Sequence, residues 1–147
     1  MKCTINIKNF THEDLVDFFS TALYGSTTFY GHLLPRFAHL EEGGTCYEDK
    51  IANVLLRGGE FAVVDMEADG EINGPAKGVV AKIMEEGEVE YTFNLKHLEN
   101  GLKMAFKDKD GGGFMSLVNL LMDDGTFDAV DADNLLQTIV FGEIVYG

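Results

Sequence analysis

A run of alternating carboxylates that ends in a glycine is the best candidate for metal chemistry in this chain. Its members occupy positions 1, 3, 5 and 6 of the calcium-loop pattern: Asp65, Glu67, Asp69 and Gly70. Oxygens at alternate positions can surround one hard cation, and the glycine permits a sharp turn. Position 12 should supply a bidentate glutamate but is Ala76, and the preceding segment has the pattern of a strand. We therefore favour a strand that runs into an acidic loop, and keep weak calcium binding by Asp65, Glu67 and Asp69 as the alternative.

Nucleophilic catalysis has no recognisable pattern in the sequence. No Gly-x-Ser-x-Gly elbow occurs, and the four histidines are scattered. A pair of Cys46 and His97 would require the fold to bring them together. The run from Gly111 to Gly113 precedes a helical segment, but no Lys-Ser or Lys-Thr pair follows, which favours a linker over a phosphate-binding loop. We predict no catalytic residue and no cofactor, and keep a small enzyme as an alternative.

The acidic charge of the chain is the property that constrains its partners most. The chain has 25 acidic and 11 basic residues and a formal net charge of −14. Residues 41–90 hold 13 acids against 4 bases, and residues 111–147 hold 6 acids and no lysine or arginine. Such a field repels phosphate backbones and anionic membranes and attracts basic surfaces over about 8 Å at physiological salt. The predicted partner is therefore a basic protein surface, with no direct nucleic acid and no membrane, and solubility alone is the alternative.

The predicted interaction residues are glutamates of a hairpin and aspartates near the end of the chain. Charges at the rim of an interface mainly change the association rate and its salt dependence. A sharper hypothesis is that the acidic face imitates DNA and inhibits a nucleic-acid enzyme, although its charge is sparse beside that of a duplex. The residues are Glu85, Glu86, Glu88, Glu90, Asp123, Asp124, Asp128, Asp131 and Asp133.

Length and composition predict one domain that spans residues 1–147. The chain is 46% hydrophobic, which supplies enough apolar area for a core. It lacks an apolar run of membrane-spanning length and a secretory signal, and its two cysteines lack metal or redox spacing, so we expect a cytoplasmic protein. The final apolar residues, Ile144 to Tyr146, either dock within the chain or pair between subunits, which leaves a homo-oligomer open.

The elements of the first half are predicted from alternation and capping patterns. Lys2 to Ile7 alternates like a strand, and Thr11 to Asp14 forms a capping box for a helix that Gly25 ends. A second capping box, Thr45 to Glu48, opens another helix. Residues 26–44 lie between the two helices and predict a broken helix or an ordered loop, because glycine and proline interrupt their helical spacing.

The second half combines strands with helices. Glu60 to Glu67 is a predicted strand, and the glycine-rich residues after it predict a flexible connection. Asn94 is the predicted cap of a helix that follows a hairpin. The remaining predictions are hairpin arms over Val79–Met84 and Val89–Leu95, and closing helices over Phe114–Met122 and Ala132–Phe141, the last capped by Asp131. Together these elements predict an α+β fold in which about five helices pack on a small, mostly antiparallel sheet of about four strands.

Three stretches also resemble a known group of proteins. They are Cys46-Tyr47-Glu48-Asp49, the Gly58-Gly59 pair leading into Val63-Val64-Asp65, and Asp131-Ala132-Asp133 with Phe141-Gly142-Glu143. In these stretches the chain resembles small acidic proteins of unknown function encoded on bacterial phages and mobile elements. The resemblance implies a bacterial cytoplasmic setting and no particular mechanism.

Overall fold

A computed structural model describes residues 11–28, 32–36, 46–122 and 127–146, with the side chains of residues 23–28 left aside. These residues form five helices and a four-stranded antiparallel sheet, which confirms the predicted α+β fold. The elements are α1 (His12–Thr28), β1 (Leu33–Arg36), α2 (Tyr47–Leu56), β2 (Glu60–Asp65), β3 (Val80–Ile83), β4 (Val89–Asn94), α3 (Leu95–Lys107), α4 (Gly112–Met122) and α5 (Ala129–Phe141).

The strands are ordered β1-β2-β4-β3, and every neighbouring pair is antiparallel. Strands β2 and β3 therefore run in the same direction on either side of β4, and residues 66–79 cross from one to the other. Asp65 at the end of β2 pairs with Leu33 on one side and with Val89 on the other. The start of β1, the end of β2 and the β3–β4 turn consequently lie at the same end of the sheet.

Alternation along the strands buries one face of the sheet against the helices. Phe61 and Phe93 meet edge to face with ring centroids 6.0 Å apart, and Phe19 of α1 packs on Phe61 at 5.8 Å. Helix α5 contacts α1, α3 and α4, and its residues from Ala132 to Phe141 are buried except for Asn134. The core therefore centres on α5, which contacts three of the other helices as well as β1 and β4.

Two predicted helix starts are confirmed by their hydrogen bonds. The Thr11 amide donates to Asp14 Oδ2 at 3.0 Å, and the Asp14 amide donates to Thr11 Oγ1 at 3.2 Å. At α3 the His97 amide donates to Asn94 Oδ1, and the Asn94 amide donates to His97 Nδ1, both at 3.0 Å. These reciprocal bonds satisfy amides that have no partner within the helix.

Replacing Asn94 by alanine is expected to lower the free energy of unfolding by about 1 kcal/mol, because the first turn of α3 loses its side-chain acceptor. Urea denaturation followed by circular dichroism measures this change. Replacing the exposed Asn53 by alanine in the middle of α2 is the matched control and should be neutral or slightly stabilising. Equal losses at both positions would contradict the capping role.

Two predictions in the first half are wrong. Helix α1 continues through Gly25 to Thr28, because one glycine within a helix costs only about 1 kcal/mol and does not stop it. Residues 33–36 form strand β1 rather than a broken helix or loop, and Pro35 pairs with Val63. A proline is tolerated there because β1 lies at the edge of the sheet that the described residues form, where one row of amides has no partner strand in that sheet. The predicted strand Lys2 to Ile7 lies outside the described residues.

Two predicted helix caps are displaced by one residue or more. Helix α2 has Cys46 as its N-cap residue, so the predicted box starting at Thr45, itself outside the described residues, is out of register. Helix α5 begins at Ala129 and is capped by Asp128, whose Oδ1 accepts the Asp131 amide at 2.9 Å. Asp131 is therefore the third residue of the helix and not its cap. The helix begins at Ala129, three residues before the start that the apolar spacing predicts.

Two glycine-rich segments are more ordered than predicted. Gly112 and Gly113 begin α4 instead of forming a linker, and a Cβ atom on Gly113 would lie 3.3 Å from Ala105 Cβ of α3. The crossing segment 66–79 is tied down at several points rather than free. The Asn73 amide donates to the Tyr91 hydroxyl at 3.0 Å, and the Ala76 amide donates to the Val140 carbonyl at 2.9 Å.

Candidate functional site

Two acidic loops meet at the end of the sheet where β2 stops and the β3–β4 hairpin turns. The Gly70 amide donates to the Gly87 carbonyl at 2.7 Å, which joins the loop after β2 to the hairpin turn. Both glycines have positive φ angles, +77° and +92°, which other residues rarely adopt. We name the resulting set of carboxylates the acidic end, and it consists of Glu67, Asp69, Glu71, Glu85, Glu86 and Glu88.

The acidic end is open to solvent and carries little compensating charge. All of its side chains are exposed except the half-buried Glu88. Among the described residues, the only basic group within ion-pair distance of it is His32, whose Nδ1 lies 3.4 Å from Glu67 Oε2. Three apolar side chains from the same loops and the adjoining edge strand are also exposed, Met66, Ile72 and Ile83. The surface thus combines apolar area with carboxylates that, apart from Glu67, have no basic group of the described residues within ion-pair distance.

Asp65 lies beneath the acidic end and is fully buried. Its Oδ1 accepts the Glu67 amide at 3.0 Å, and its Oδ2 accepts the hydroxyl of Tyr146 at 2.7 Å. A buried carboxylate requires such donors, since its charge is costly away from water. The role of Asp65 is therefore to hold the loop after β2 and the end of the chain together.

Gln137 fixes the tail that follows α5. Its buried amide oxygen accepts the amides of Val145 and Tyr146 at 2.9 and 2.8 Å. Its amide nitrogen donates to the Tyr146 carbonyl at 3.0 Å and to Asp133 Oδ2 at 2.8 Å. The tail therefore docks within the chain through Val145 and Tyr146. Sequence reasoning missed Gln137, although a single amide within the apolar run of α5 was the available signal.

His32 and Asp133 complete this buried polar cluster. The His32 amide donates to Asp133 Oδ1 at 3.0 Å, and the His32 ring stacks on Tyr146 with centroids 5.1 Å apart. Burial raises the pKa of Asp133, although the hydrogen bonds from His32 and Gln137 oppose this shift. Burial, followed by the hydrogen bond to Asp65, raises the pKa of Tyr146. Both raised pKa values favour the neutral forms of Asp133 and Tyr146. The cluster joins β1, β2, α5 and the tail.

Three of the predicted contacts near the end of the chain, Asp128, Asp131 and Asp133, make hydrogen bonds within the fold, although Asp128 stays exposed. Asp131 accepts Ser116 Oγ at 2.9 Å and Asn119 Nδ2 at 3.0 Å, which links α5 to α4. Asp128 caps α5, and Asp133 is 8% exposed. Asp123 and Asp124 lie outside the described residues.

The predicted hairpin contacts fall into two groups. Glu85 and Glu86 are exposed in the turn, whereas Glu88 is half-buried. Glu90 lies on the outer face of the sheet, where its Oε2 is 2.7 Å from Nη1 of Arg36 and its side chain is 17% exposed. The sequence alone does not distinguish these groups, because Arg36 is far from Glu90 along the chain.

The candidate calcium ligands do not converge. Asp65 is buried and bonded to Tyr146, while Glu67 and Asp69 are exposed in the loop beyond it. In residues 11–28, 32–36, 46–122 and 127–146, no group of three or more histidine, cysteine, aspartate or glutamate side chains is arranged to hold a metal ion. The described residues therefore show no set of ligands that would support calcium binding by Asp65, Glu67 and Asp69.

The candidate nucleophile Cys46 and the candidate base His97 have different neighbours. Cys46 Sγ donates to Asp49 Oδ2 at 3.2 Å, and His97 belongs to the capping box of α3. The Asp49 backbone amide favours the thiolate, but the hydrogen bonds to the Asp49 and Glu48 carboxylates outweigh it and raise the pKa of Cys46. A raised pKa leaves less thiolate at neutral pH, which makes the thiol a weaker nucleophile.

A cleft of about 390 Å³ lies where the ends of α3, α4 and α5 approach one another. Its lining contains carboxylates from Asp108 and Glu143 and apolar groups from Met104 and Ile144, but no cysteine or histidine. It therefore lacks the thiol or imidazole that the enzyme alternative requires beside a carboxylate.

Comparisons with known proteins do not extend this description. No protein-family model, curated protein or solved structure matches the chain. Within the part of the chain that the structure describes, no helix has both the length and the apolar character to cross a membrane.

Proposed function

We propose that this chain is a non-catalytic cytoplasmic protein that docks a basic surface of a partner protein through its acidic end. The observation that supports this function is the hydrogen bond between Gly70 and Gly87, which gathers carboxylates from two loops at one end of the sheet. Exposed carboxylates grouped in this way attract a basic partner and orient it during encounter.

The apolar side chains beside the carboxylates give the same surface a source of affinity. Met66 is 53% exposed and Ile83 is 50% exposed, so both retain apolar area that a partner can cover. Charge alone mainly accelerates association, whereas burial of apolar area slows dissociation. A basic surface with an apolar centre is therefore the partner that fits the acidic end.

Neutralising the exposed carboxylates of the acidic end is expected to lower the association rate with the partner at least about tenfold at low salt, since steering depends on these charges. The variant carries E67Q, D69N, E71Q, E85Q and E86Q. The partner is recovered from a cell lysate by wild-type bait, and its association rate is measured by surface plasmon resonance between 50 and 500 mM salt.

The matched control removes five exposed carboxylates elsewhere, so both variants have the same net charge. It carries E13Q, D17N, E60Q, D110N and E143Q, all at exposed positions. This control should keep most of the association rate. If both variants lose it equally, binding depends on net charge and the acidic end is not a docking site.

Inhibition of a nucleic-acid enzyme is the narrower candidate for the same surface. The grouping of carboxylates from two loops favours it, as does the resemblance to proteins of phages and mobile elements. Inhibition of a nuclease or methyltransferase that disappears with the acidic-end variant would favour this candidate over docking alone. Inhibition that persists in that variant would exclude it.

A further inference from the structure

The edge strand β3 has backbone groups that point away from the sheet. The Met84 amide donates to the Glu88 carbonyl at 2.7 Å, which fixes the alternation of the β3–β4 ladder. Because hydrogen-bonded pairs alternate along an antiparallel ladder, Lys82 bonds to β4, whereas Ala81 and Ile83 direct their amides and carbonyls outward. Within the part of the chain that the structure describes, no strand pairs with this side of β3.

The side chains of β3 leave this edge accessible. Val80 is 61% exposed and Ile83 is 50% exposed. Ile83 pairs with the buried Val89, so it lies on the face of the sheet that packs against the helices, and an added strand would extend that apolar layer. The other edge of the described sheet is β1, where Pro35 has no amide to donate. Of these two edges, β3 is therefore the one suited to accept a further strand.

We propose that the partner of the acidic end adds an extended basic segment to β3 as an antiparallel strand. This inference rests on the proposed function and specifies how the partner binds. Main-chain hydrogen bonds supply the affinity of strand addition, and alternate side chains supply its specificity. Strand β3 leads directly into the exposed Glu85 and Glu86, so charge selects a segment whose basic residues lie beside this turn.

The direction of β3 determines where the basic residues of the segment belong. An antiparallel segment begins beside the hairpin turn and ends beside Val80, so its first residues should be basic. The residues opposite Ala81 and Ile83 lie on the inner face and should be apolar. The residue between them lies opposite the exposed Lys82 and should be uncharged, because like charges directly opposite each other repel.

A second copy of this chain does not fit the same edge. Each copy has a net charge of −14, so two copies repel one another. Lys82 is exposed in the middle of β3, and a lysine at such a position opposes edge-to-edge pairing of identical strands. A basic segment with an uncharged residue opposite Lys82 avoids both kinds of repulsion.

The probe for strand addition is a synthetic peptide, Lys-Arg-Lys-Val-Thr-Val-Thr, blocked at both ends. Titration of the full chain, followed by nuclear magnetic resonance, should give a dissociation constant of about 0.1 to 1 mM, since a short peptide loses much freedom on binding. The matched control peptide carries N-methyl groups on both valines. It keeps every charge and side chain but loses the two amides that donate to β3, so it should bind at least about tenfold more weakly.

Two measurements on the chain itself locate the added strand. Saturating peptide should slow hydrogen exchange at the amides of Ala81 and Ile83 at least about fivefold in the wild type, and should change Lys82 less, because Lys82 already bonds to β4. The variant A81P removes one outward amide without touching the β3–β4 ladder, and A81S keeps it. A81P should bind the peptide at least about fivefold more weakly than A81S, with circular dichroism confirming that both variants are folded.

The outcomes separate strand addition from charge-driven docking. Equal binding of both peptides without slower exchange at Ala81 and Ile83 would overturn strand addition and leave docking at the acidic end in place. No binding of either peptide at about 5 mM would also overturn it, as would slow exchange at both amides without peptide, because the edge would then already be covered. Peptide binding that the acidic-end variant leaves unchanged would contradict the proposed function, while protection of the two amides would still show strand addition.

Discussion

Replacing Gly101 by alanine is expected to lower the free energy of unfolding by about 2 kcal/mol, because α3 and α5 touch through their backbones at this point. A Cβ atom on Gly101 would lie 2.6 Å from Ile139 Cα and 2.7 Å from Ile139 Cγ1. The first contact involves a backbone atom, which cannot move without shifting α5. Since α5 packs on three helices, the added methyl group forces a rearrangement of the core.

The sign of this change is informative because helix propensity acts in the opposite direction. Alanine is favoured over glycine within a helix by about 1 kcal/mol, so without the clash the substitution would be stabilising. Urea denaturation measures the difference, and Gly112→Ala is the control. A Cβ on Gly112 would lie 3.2 Å from the flexible end of Ile144 and 3.7 Å from Asn134 Nδ2, so this substitution should cost little. A G101A variant as stable as the wild type would show that α3 and α5 can move apart at this contact without loss of stability.

The parts of the fold that were predictable are those set by neighbours along the chain. The capping boxes at Thr11 and Asn94 join residues three positions apart, and the alternation of Val89, Tyr91 and Phe93 follows from the pleat of one strand. Such patterns are complete within a short segment. They were sufficient to predict the α+β class, the hairpin and the positions of most helices.

The parts that were missed depend on residues far apart in sequence. Strand β1 exists because Leu33 to Arg36 pair with β2, and its Pro35 is tolerated because β1 lies at an edge among the described strands. The bond from the His32 amide to Asp133 spans 101 positions. The close approach at Gly101 likewise arises from α5, which no spacing within α3 reveals.

The candidate site was predictable as a region but not residue by residue. Charge segregation identified the hairpin turn with Glu85 and Glu86, and the structure leaves both exposed. Charge alone could not separate them from Glu90, which pairs with Arg36, or from Asp131, which links two helices. Whether a carboxylate faces solvent or satisfies a donor is decided by packing, which sequence patterns describe poorly.

Replacing Tyr146 by phenylalanine is expected to lower the free energy of unfolding at pH 7 by about 2 kcal/mol, because a hydrogen bond to a buried carboxylate is lost. Asp65 has no solvent exposure, and the Tyr146 hydroxyl is its only side-chain donor among the described residues, at 2.7 Å. The phenyl ring can keep its packing against His32 and Phe141. Urea denaturation measures the loss, and the exposed Glu71→Gln is the control, with an expected change near zero.

The difference in stability between wild type and Y146F is also expected to depend on pH at the alkaline end. Burial and the Asp65 carboxylate raise the pKa of Tyr146 above its ordinary value of 10.0. A raised folded-state pKa means that the stabilisation is complete below the unfolded-state pKa and is lost as pH rises through the folded-state pKa. The advantage of the wild type over Y146F should therefore be constant from pH 7 to 9 and shrink above about pH 10. Since all other ionisable groups are present in both proteins, the difference isolates Tyr146. An advantage that stayed constant to pH 11 would show that its hydroxyl does not donate to Asp65.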